Sequence, residues 1–237
     1  DCDCGGERIV SKRLKVENFV ESSNACLRNA ERLISDIEFL EIDSHPSAYA
    51  LAIIAQEEIA KAFLLYLIYC EVIPWNKFVK RSLRDHSCKQ LWGIVLNELA
   101  PTDEKFLEKA QNGTLANLDI FIADVADVLN IYRHEKIGRW ENSRWVWDEP
   151  PKYGKQTKKV AEGHVDKIKQ NALYVQIGED GRVCSMPSSI TQQLMEGAQD
   201  AAKRFHHLVK RLIEKEYEPV HFDWLKQILK EMFKGNQ

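Results

Sequence analysis

Two carboxylates and one ammonium group interrupt the most apolar stretch of the sequence. The stretch AYALAIIAQEEIAKAFLLYL covers residues 48–67 and holds Glu57, Glu58 and Lys61 near its centre. Side chains three and four residues apart lie on one side of a helix, where they can form ion pairs. Such charges either lock the helices of a bundle together or form the polar centre of a functional site. The residues alone leave both interpretations open.

The charges of this stretch do not balance. On a helical wheel with about 100° per residue, the three charged side chains share roughly a third of the circle, and the opposite side is apolar. One lysine cannot neutralise two carboxylates, and an unpaired charge in a core is costly. We therefore expect basic side chains from other segments to approach this level of the helix.

Two later segments supply candidate basic partners. In FVKRSLRDHSCKQLW, the apolar positions predict that His86 faces the core and that Lys89 leans the same way, while Arg81 points elsewhere and pairs with Asp85. In VDKIKQNALYV, Lys169 precedes a triplet of β-forming residues that ends the segment. Carboxylates stabilise the charged form of a nearby histidine, which suits acid–base catalysis and simple ion pairing alike.

The region from residue 133 to residue 169 is basic and rich in aromatic residues. It holds ten Lys or Arg against six acids. Lysines and arginines that contact phosphates, beside aromatic rings that stack on bases, are typical of a surface for single-stranded RNA. The alternative is that the aromatic rings pack onto the bundle and the basic groups are solvated. The candidate RNA-binding or partner-binding residues are Arg139, Arg144, Trp145, Lys155, Lys169 and Tyr174.

Composition limits the classes of function. The 237 residues carry a formal net charge of -3, so the whole chain has no general attraction to nucleic acid or acidic membranes. No uncharged apolar run reaches about 18 residues, so we expect no membrane span. The six cysteines lack framework spacing, which predicts reduced thiols and a cytoplasmic protein. No Glu-x-x-His pair occurs on the predicted core helices, so we expect no metal and no cofactor.

Hydrophobic periodicity predicts an all-α protein, an up-and-down helical bundle with extra helices and a small β-hairpin insert. We expect a flexible tail over residues 1–15 and a single helical domain over residues 16–237. Residues 139–160 show no helical period, and residues 172–187 form the predicted hairpin around Asp180-Gly181. The predicted helices cover about 16–40, 45–70, 74–99, a short segment after 100, 114–136, 160–170, 187–217 and 219 onward.

Three of these stretches resemble the AbiV family of abortive-infection proteins, a branch of the HEPN superfamily. ALAIIAQEEIAKA matches a family helix of the form ALAxxxxEExxKA, and His86 with Lys89 matches a following HxxK element. KQNALYVQIGEDGRVCSMP matches a later basic residue, an LYVD segment, a polar turn and a proline. The family commonly has Arg at the position of Lys169 and Asp at the position of Gln176, so this chain departs from the pattern at both.

The resemblance implies a HEPN-like bundle that forms a homodimer in antiphage defence. Many HEPN proteins are metal-independent endoribonucleases with an Arg-x4-6-His motif, and Arg81 and His86 fit that spacing. Five residues along a continuous helix separate the two by about 140°, so they converge only through a helix break or a dimer partner. The candidate catalytic residues are Arg81, His86, Glu58, Lys61 and Lys89.

Two classes of function follow from these expectations. The first is a toxin that cleaves RNA or blocks the translation machinery. The second is a non-enzymatic helical module that binds a phage-encoded or host protein, in which the charged stretch organises the bundle or its dimer contact.

Overall fold

Helices dominate the computed structural model, as the sequence predicts. The structure describes residues 4–40, 44–100, 125–129, 131, 139–141, 144–146, 154–219 and 221–234, with side chains from residue 17 onward except at residue 78 and in the first two strands. The helices are α1 (Cys4–Glu38), α2 (His45–Tyr69), α3 (Lys77–Ser82), α4 (His86–Leu99), α5 (Lys155–Ala161), α6 (His164–Leu173), α7 (Gln192–Ile213) and α8 (Phe222–Lys234). The all-α fold class is therefore confirmed.

Two small antiparallel ladders accompany the helices. The strands are β1 (Arg139–Glu141), β2 (Arg144–Val146), β3 (Gln176–Ile177) and β4 (Val183–Ser185). β1 pairs with β2 and β3 pairs with β4. The second ladder is the predicted hairpin, and Gly181 adopts a φ of 76° in its turn, a conformation that suits glycine.

The apolar helix α2 lies at the centre of the fold. It packs against α1, α4, α6 and α7, and buried residues occur all round it. Phe63 of α2 packs edge-on against Trp92 of α4, with ring centroids 5.8 Å apart, and against Phe222 of α8 at 6.0 Å. Ser23 of α1 donates a hydrogen bond to the Ala62 carbonyl at 2.8 Å. A helix surrounded by neighbours can stay apolar on every side, as the wheel indicates.

The first helix begins earlier than the sequence analysis places it. Residues 4–15, expected as a flexible tail, are helical and belong to α1. Residues 7–15 contain no Gly or Pro, so nothing in their sequence stops a helix that is already formed downstream.

The predicted helix over residues 74–99 is broken in two. α3 ends at Ser82, and α4 starts at His86 after a non-helical residue, Asp85, with φ -76° and ψ 125°. The Asp85 carboxylate accepts a hydrogen bond from the Cys88 backbone N–H at 3.0 Å and so caps α4. The pairing of Arg81 with Asp85 as a surface ladder on one straight helix is therefore wrong. The break places His86 at the first turn of α4.

Other boundaries also differ from the predictions. The helix expected over 160–170 is two helices, α5 and α6, which meet at Gly163 with a φ of 76°. α5 begins at Lys155, so the end of the 139–160 segment is helical. The helix expected from residue 187 begins at Gln192, where the Thr191 hydroxyl accepts a hydrogen bond from the Leu194 N–H at 3.2 Å. Residues 125–129 and 131 are helical, and the rest of the helices expected between 100 and 136 lies outside the described residues.

Candidate functional site

Glu57 is the centre of a polar cluster formed by three helices. Its side chain is 4% exposed, and its two oxygens receive four contacts from α4 and α6. Oε1 lies 2.8 Å from Lys169 Nζ and 3.0 Å from Gln90 Nε2, and Oε2 lies 2.6 Å from His86 Nδ1 and 3.0 Å from Lys89 Nζ. We call these residues, together with Asp166, the Glu57 cluster. The basic partners that the charge imbalance predicts are therefore present.

Two buried lysines keep Glu57 ionised. Burial on its own raises the pKa of a carboxyl group, but the hydrogen bond from Lys169 and the charge of Lys89 outweigh it, and together they lower the pKa of Glu57 to about 2. Lys89 and Lys169 are themselves each only 7% exposed. Because both ammonium groups are buried, carboxylates rather than water must stabilise their charges.

Lys169 occupies the place that a bound cation would take. Its Nζ lies 2.7 Å from Asp166 Oδ1 and 3.2 Å from His86 Nδ1, in addition to its contact with Glu57. Ligand atoms of those three residues lie within 4.8 Å of one another, close enough to hold a metal ion. Because the ammonium already neutralises them, a metal would have to displace Lys169. Burial opposes the charge on Lys169, but Asp166 and Glu57 raise its pKa.

The contact with Glu57 fixes the proton on His86. A carboxylate oxygen 2.6 Å from a ring nitrogen requires a proton between them, and Glu57 is ionised. The Nδ1–H group of His86 then donates to Glu57, and in the neutral form of the ring the lone pair lies on Nε2. The 3.2 Å approach of Lys169 Nζ to Nδ1 is therefore a contact between two donors and not a hydrogen bond. The His86 side chain is 54% exposed, so one edge of the ring contacts a buried carboxylate while the rest faces solvent. The structure thus places His86 at the rim of the bundle, whereas the sequence analysis places it facing inward.

Glu58 and Lys61, two of the predicted catalytic residues, are not part of this cluster. They form an ion pair with each other. Glu58 also contacts the Cys26 thiol of α1, and burial raises the pKa of that thiol. Neighbouring positions on a helix point about 100° apart, so Glu57 faces α4 and α6 while Glu58 faces α1. The sequence pattern found the two carboxylates, and it did not separate the residue of the polar cluster from its neighbour.

Arg81 and His86 belong to different helices, α3 and α4. Arg81 is an exposed residue of α3, and no hydrogen bond or ion pair in the described part of the chain joins its side chain to the Glu57 cluster. The helix break places the two residues on separate helices.

The predicted RNA-binding or partner-binding residues fall in four places. Lys169 lies within the Glu57 cluster, and Lys155 is exposed on α5. Tyr174 follows α6 and is 63% exposed, beside exposed Leu173 and Val175, and it precedes the first residue of β3. The other three, Arg139, Arg144 and Trp145, belong to β1 and β2, and their side chains lie outside the described residues.

Two members of the cluster, Gln90 and Asp166, are not among the residues that the sequence predicts for a site. Gln90 lies four residues after His86, and Asp166 lies three residues before Lys169, so each is one helical turn from a residue already identified. The spacing was the available signal. Gln90 carries no charge, and Asp166 beside Lys169 resembles an ordinary surface ion pair, so their residue types alone do not mark these positions as part of a site.

Comparison with known proteins identifies the family. A sequence model of AbiV proteins, within the HEPN group, matches residues 19–207. This range includes every member of the Glu57 cluster. Neither the search of curated proteins nor the search of solved structures found a match. None of the described helices is long and apolar enough to cross a membrane. The chain therefore belongs to the AbiV family of the HEPN superfamily, and its function is of the abortive-infection type.

Proposed function

We propose that this protein cleaves RNA without a metal ion and that His86 is its acid–base group. The observation that carries the proposal is the 2.6 Å contact between His86 Nδ1 and the buried Glu57 carboxylate, made by a histidine whose side chain is half exposed. A buried carboxylate that orients an imidazole, with the second ring nitrogen accessible, is an arrangement suited to proton transfer.

The chemistry needs only the 2′-hydroxyl of the RNA and this imidazole. His86 Nε2 accepts the proton of the 2′-hydroxyl while the 2′-oxygen forms a bond to the neighbouring phosphorus. The bond from phosphorus to the 5′-oxygen breaks, and that oxygen takes a proton from water. The products are a 2′,3′-cyclic phosphate and a 5′-hydroxyl, and the imidazolium then returns its proton to solvent.

The other members of the cluster position His86 rather than touch RNA. Lys89 and Lys169 are buried and already contact Glu57, so their charges hold that carboxylate ionised. Exposed lysines of α5, Lys155 and Lys159, are available to contact phosphates instead. Arg81 is exposed on α3, and in a homodimer it can act on RNA bound by the second copy.

Replacement of His86 by Ala should abolish cleavage while leaving the protein folded. Loss of a general base lowers rates by about 10²–10⁴-fold. The assay follows a labelled single-stranded RNA in the presence of a chelator and identifies the ends of the products. Exposed His207 on α7, outside the cluster, provides the matched control, because His207→Ala should cleave at the rate of the unmodified protein.

One further substrate and two variants make this test decisive. A substrate with 2′-deoxyribose at the cleaved position should resist cleavage, since it lacks the nucleophile. Cleavage that survives His86→Ala would remove His86 from the chemistry. A slower reaction in Arg81→Ala would support a contribution from the second copy, and an unchanged rate would exclude Arg81.

The alternative function, a module that binds a protein partner, is favoured by one surface. Leu173, Tyr174, Val175 and Ile177 are all exposed around the start of the β3–β4 hairpin, with fractions between 45% and 63%. Exposed apolar residues in one short segment are typical of protein interfaces. If the protein is such a module, the unmodified purified protein should not cleave RNA, and Tyr174→Ser should relieve toxicity in cells. If toxicity is unchanged in Tyr174→Ser, this surface is not the interface.

A further inference from the structure

The segment that precedes His86 carries a dense group of exposed positive charges. Four basic side chains fall within eight residues, all of them exposed, and no acidic residue lies among them. Like charges three and four residues apart on a helix repel one another, so this charge pattern is unfavourable for α3 on its own. We call the segment's exposed side chains the α3 surface, and its members are Trp75, Lys77, Lys80, Arg81 and Arg84.

The basic side chains of the α3 surface lack carboxylate partners in the described part of the chain. None of the four forms a hydrogen bond or an ion pair with a described residue. By contrast, exposed Arg32 of α1 pairs with Asp36, and exposed Lys203 of α7 pairs with Glu38. Asp85 follows the segment, but its carboxylate caps α4. The α3 surface is therefore suited to a ligand that brings several negative charges.

An aromatic ring lies at the start of the α3 surface. Trp75 is 40% exposed, although tryptophan is highly buried on average. Its ring packs edge-on against Phe19 of α1, with the ring centroids 5.1 Å apart, and this contact holds it in place. Lys80 Nζ lies 5.2 Å from the centre of the same ring. An exposed ring beside basic groups can stack on a base while the charges contact the phosphates of the strand.

A stacked base can replace the Lys80 ammonium group over the Trp75 ring. At an exposed site, a cation–π contact is weaker than the stacking of a base on an aromatic side chain. The displaced ammonium group then becomes available for a phosphate of the same strand. Stacking on Trp75 and charge pairing by Lys80 therefore support each other.

The combination of ring and charge favours a single strand over other polyanions. The bases of a duplex are stacked on one another, so a duplex offers phosphates but no free base face to Trp75. An acidic protein offers carboxylates without a ring system beside each charge. Phosphates and base faces are common to RNA and DNA, so we expect the α3 surface to bind both.

We propose that the α3 surface binds single-stranded nucleic acid, with a base stacked on Trp75 and with Lys77, Lys80 and Arg84 at the phosphates. Arg84 lies two residues before His86, so a strand on this surface leads to the half-exposed imidazole. This last step rests on the proposed function, which supplies RNA as the substrate. Single-stranded DNA binds to the same surface, lacks the 2′-hydroxyl nucleophile, and inhibits the cleavage of RNA.

The test measures the binding of a fluorescein-labelled oligothymidine of about 12 nucleotides by fluorescence anisotropy. Trp75→Ala should weaken binding about fivefold or more through the lost stacking, and Trp75→Phe should recover part of the affinity. Phe39→Ala removes an aromatic side chain that is 86% exposed at the end of α1, and it should bind as tightly as the unmodified protein. Thermal melting of each variant shows that it is folded.

The phosphate contacts are tested by combining Lys77→Gln with Arg84→Gln. Loss of two contacts should weaken binding about tenfold or more, and it should lower the slope of log affinity against log salt concentration by about 1.4. The matched control combines Lys203→Gln with Arg32→Gln, which removes one lysine and one arginine from exposed ion pairs outside the α3 surface. The control should keep the slope of the unmodified protein.

Several ligands and variants can overturn the proposal. A duplex of the same length should bind more weakly than the single strand and should not respond to Trp75→Ala. Equal losses of affinity in the two double variants would contradict the α3 surface as the site, as would oligothymidine binding that Trp75→Ala leaves unchanged. Polyglutamate that displaces the label as effectively as unlabelled oligothymidine would identify an acidic protein as the partner instead.

Binding of oligothymidine separates this proposal from the proposed function, because DNA is bound without being cleaved. If RNA cleavage is absent while Trp75-dependent binding is found, the proposed function fails and the α3 surface stands. If RNA is cleaved through His86 without Trp75-dependent binding, the proposed function stands and the α3 surface fails.

Discussion

Glu57→Gln is expected to lower the free energy of unfolding by about 3–5 kcal/mol, the usual cost of breaking a buried ion pair on one side. The substitution keeps the shape of the side chain and removes its charge. Lys89 would lose its described carboxylate partner, and Lys169 would retain Asp166 alone. Both ammonium groups are buried, so solvent cannot replace the lost interaction. Chemical denaturation at neutral pH measures the change.

Glu58→Gln is the matched control for this prediction. The change is identical and one residue away, but the partner of Glu58 is Lys61, whose side chain is 25% exposed. We expect a cost of about 1 kcal/mol or less. Adding Lys89→Met to Glu57→Gln should recover part of the loss, because it removes one unpaired charge. Equal losses for Glu57→Gln and Glu58→Gln would contradict the assignment of Glu57 as the centre of the cluster.

The stability of the protein should fall steeply in acid because of the same carboxylate. The pKa of Glu57 is about 2 in the folded protein, against an ordinary value of 4.5. A lowered pKa contributes stability that is fully present above the ordinary value and is lost as the pH falls towards the folded value. The difference corresponds to about 3 kcal/mol, lost between about pH 4.5 and pH 2. Lys169 acts in the opposite range, because its raised pKa contributes stability that is lost only as the pH rises above 10.5.

Denaturation curves at a series of pH values from neutral to strongly acidic test this expectation. The unmodified protein should lose more stability on acidification than Glu57→Gln, since the variant has no group to protonate at this position. Other carboxylates titrate in both proteins and cancel in the comparison. Parallel pH profiles for the two proteins would show that Glu57 does not have a lowered pKa.

The sequence predicts this polar centre because the unbalanced charge lies within one short, apolar stretch of the chain and can be counted without knowing the fold. Two carboxylates and one lysine in an apolar helix need further positive charge, and few inward-facing basic residues were available. Lys89 and Lys169 met that need, as expected from helical spacing. Predicting which carboxylate they meet required the rotation of α2 against its neighbours, which periodicity cannot give for a helix that is apolar on every side.

The position of His86 depends on a helix break that hydrophobic periodicity does not reveal. Asp85 is a strong capping residue, and its carboxylate accepts a hydrogen bond from the Cys88 N–H, which has no backbone acceptor in the first turn of α4. Asp85 could equally lie on the exposed face of one continuous helix, so its residue type does not distinguish a cap from a helical position. The ends of α3 and α4 in the structure make that distinction. The break leaves His86 half exposed at the start of α4 and Arg81 on a separate helix.

By itself, the sequence determined that the protein is helical, that α2 is buried, and that its charges need partners from the segments around residues 86 and 169. These properties follow from side-chain periodicity and from the cost of unpaired charge, both of which operate along the chain. Only the tertiary structure decided that Glu57 rather than Glu58 receives those partners and that Gln90 and Asp166 join them. These properties depend on how separate helices are rotated and spaced against one another.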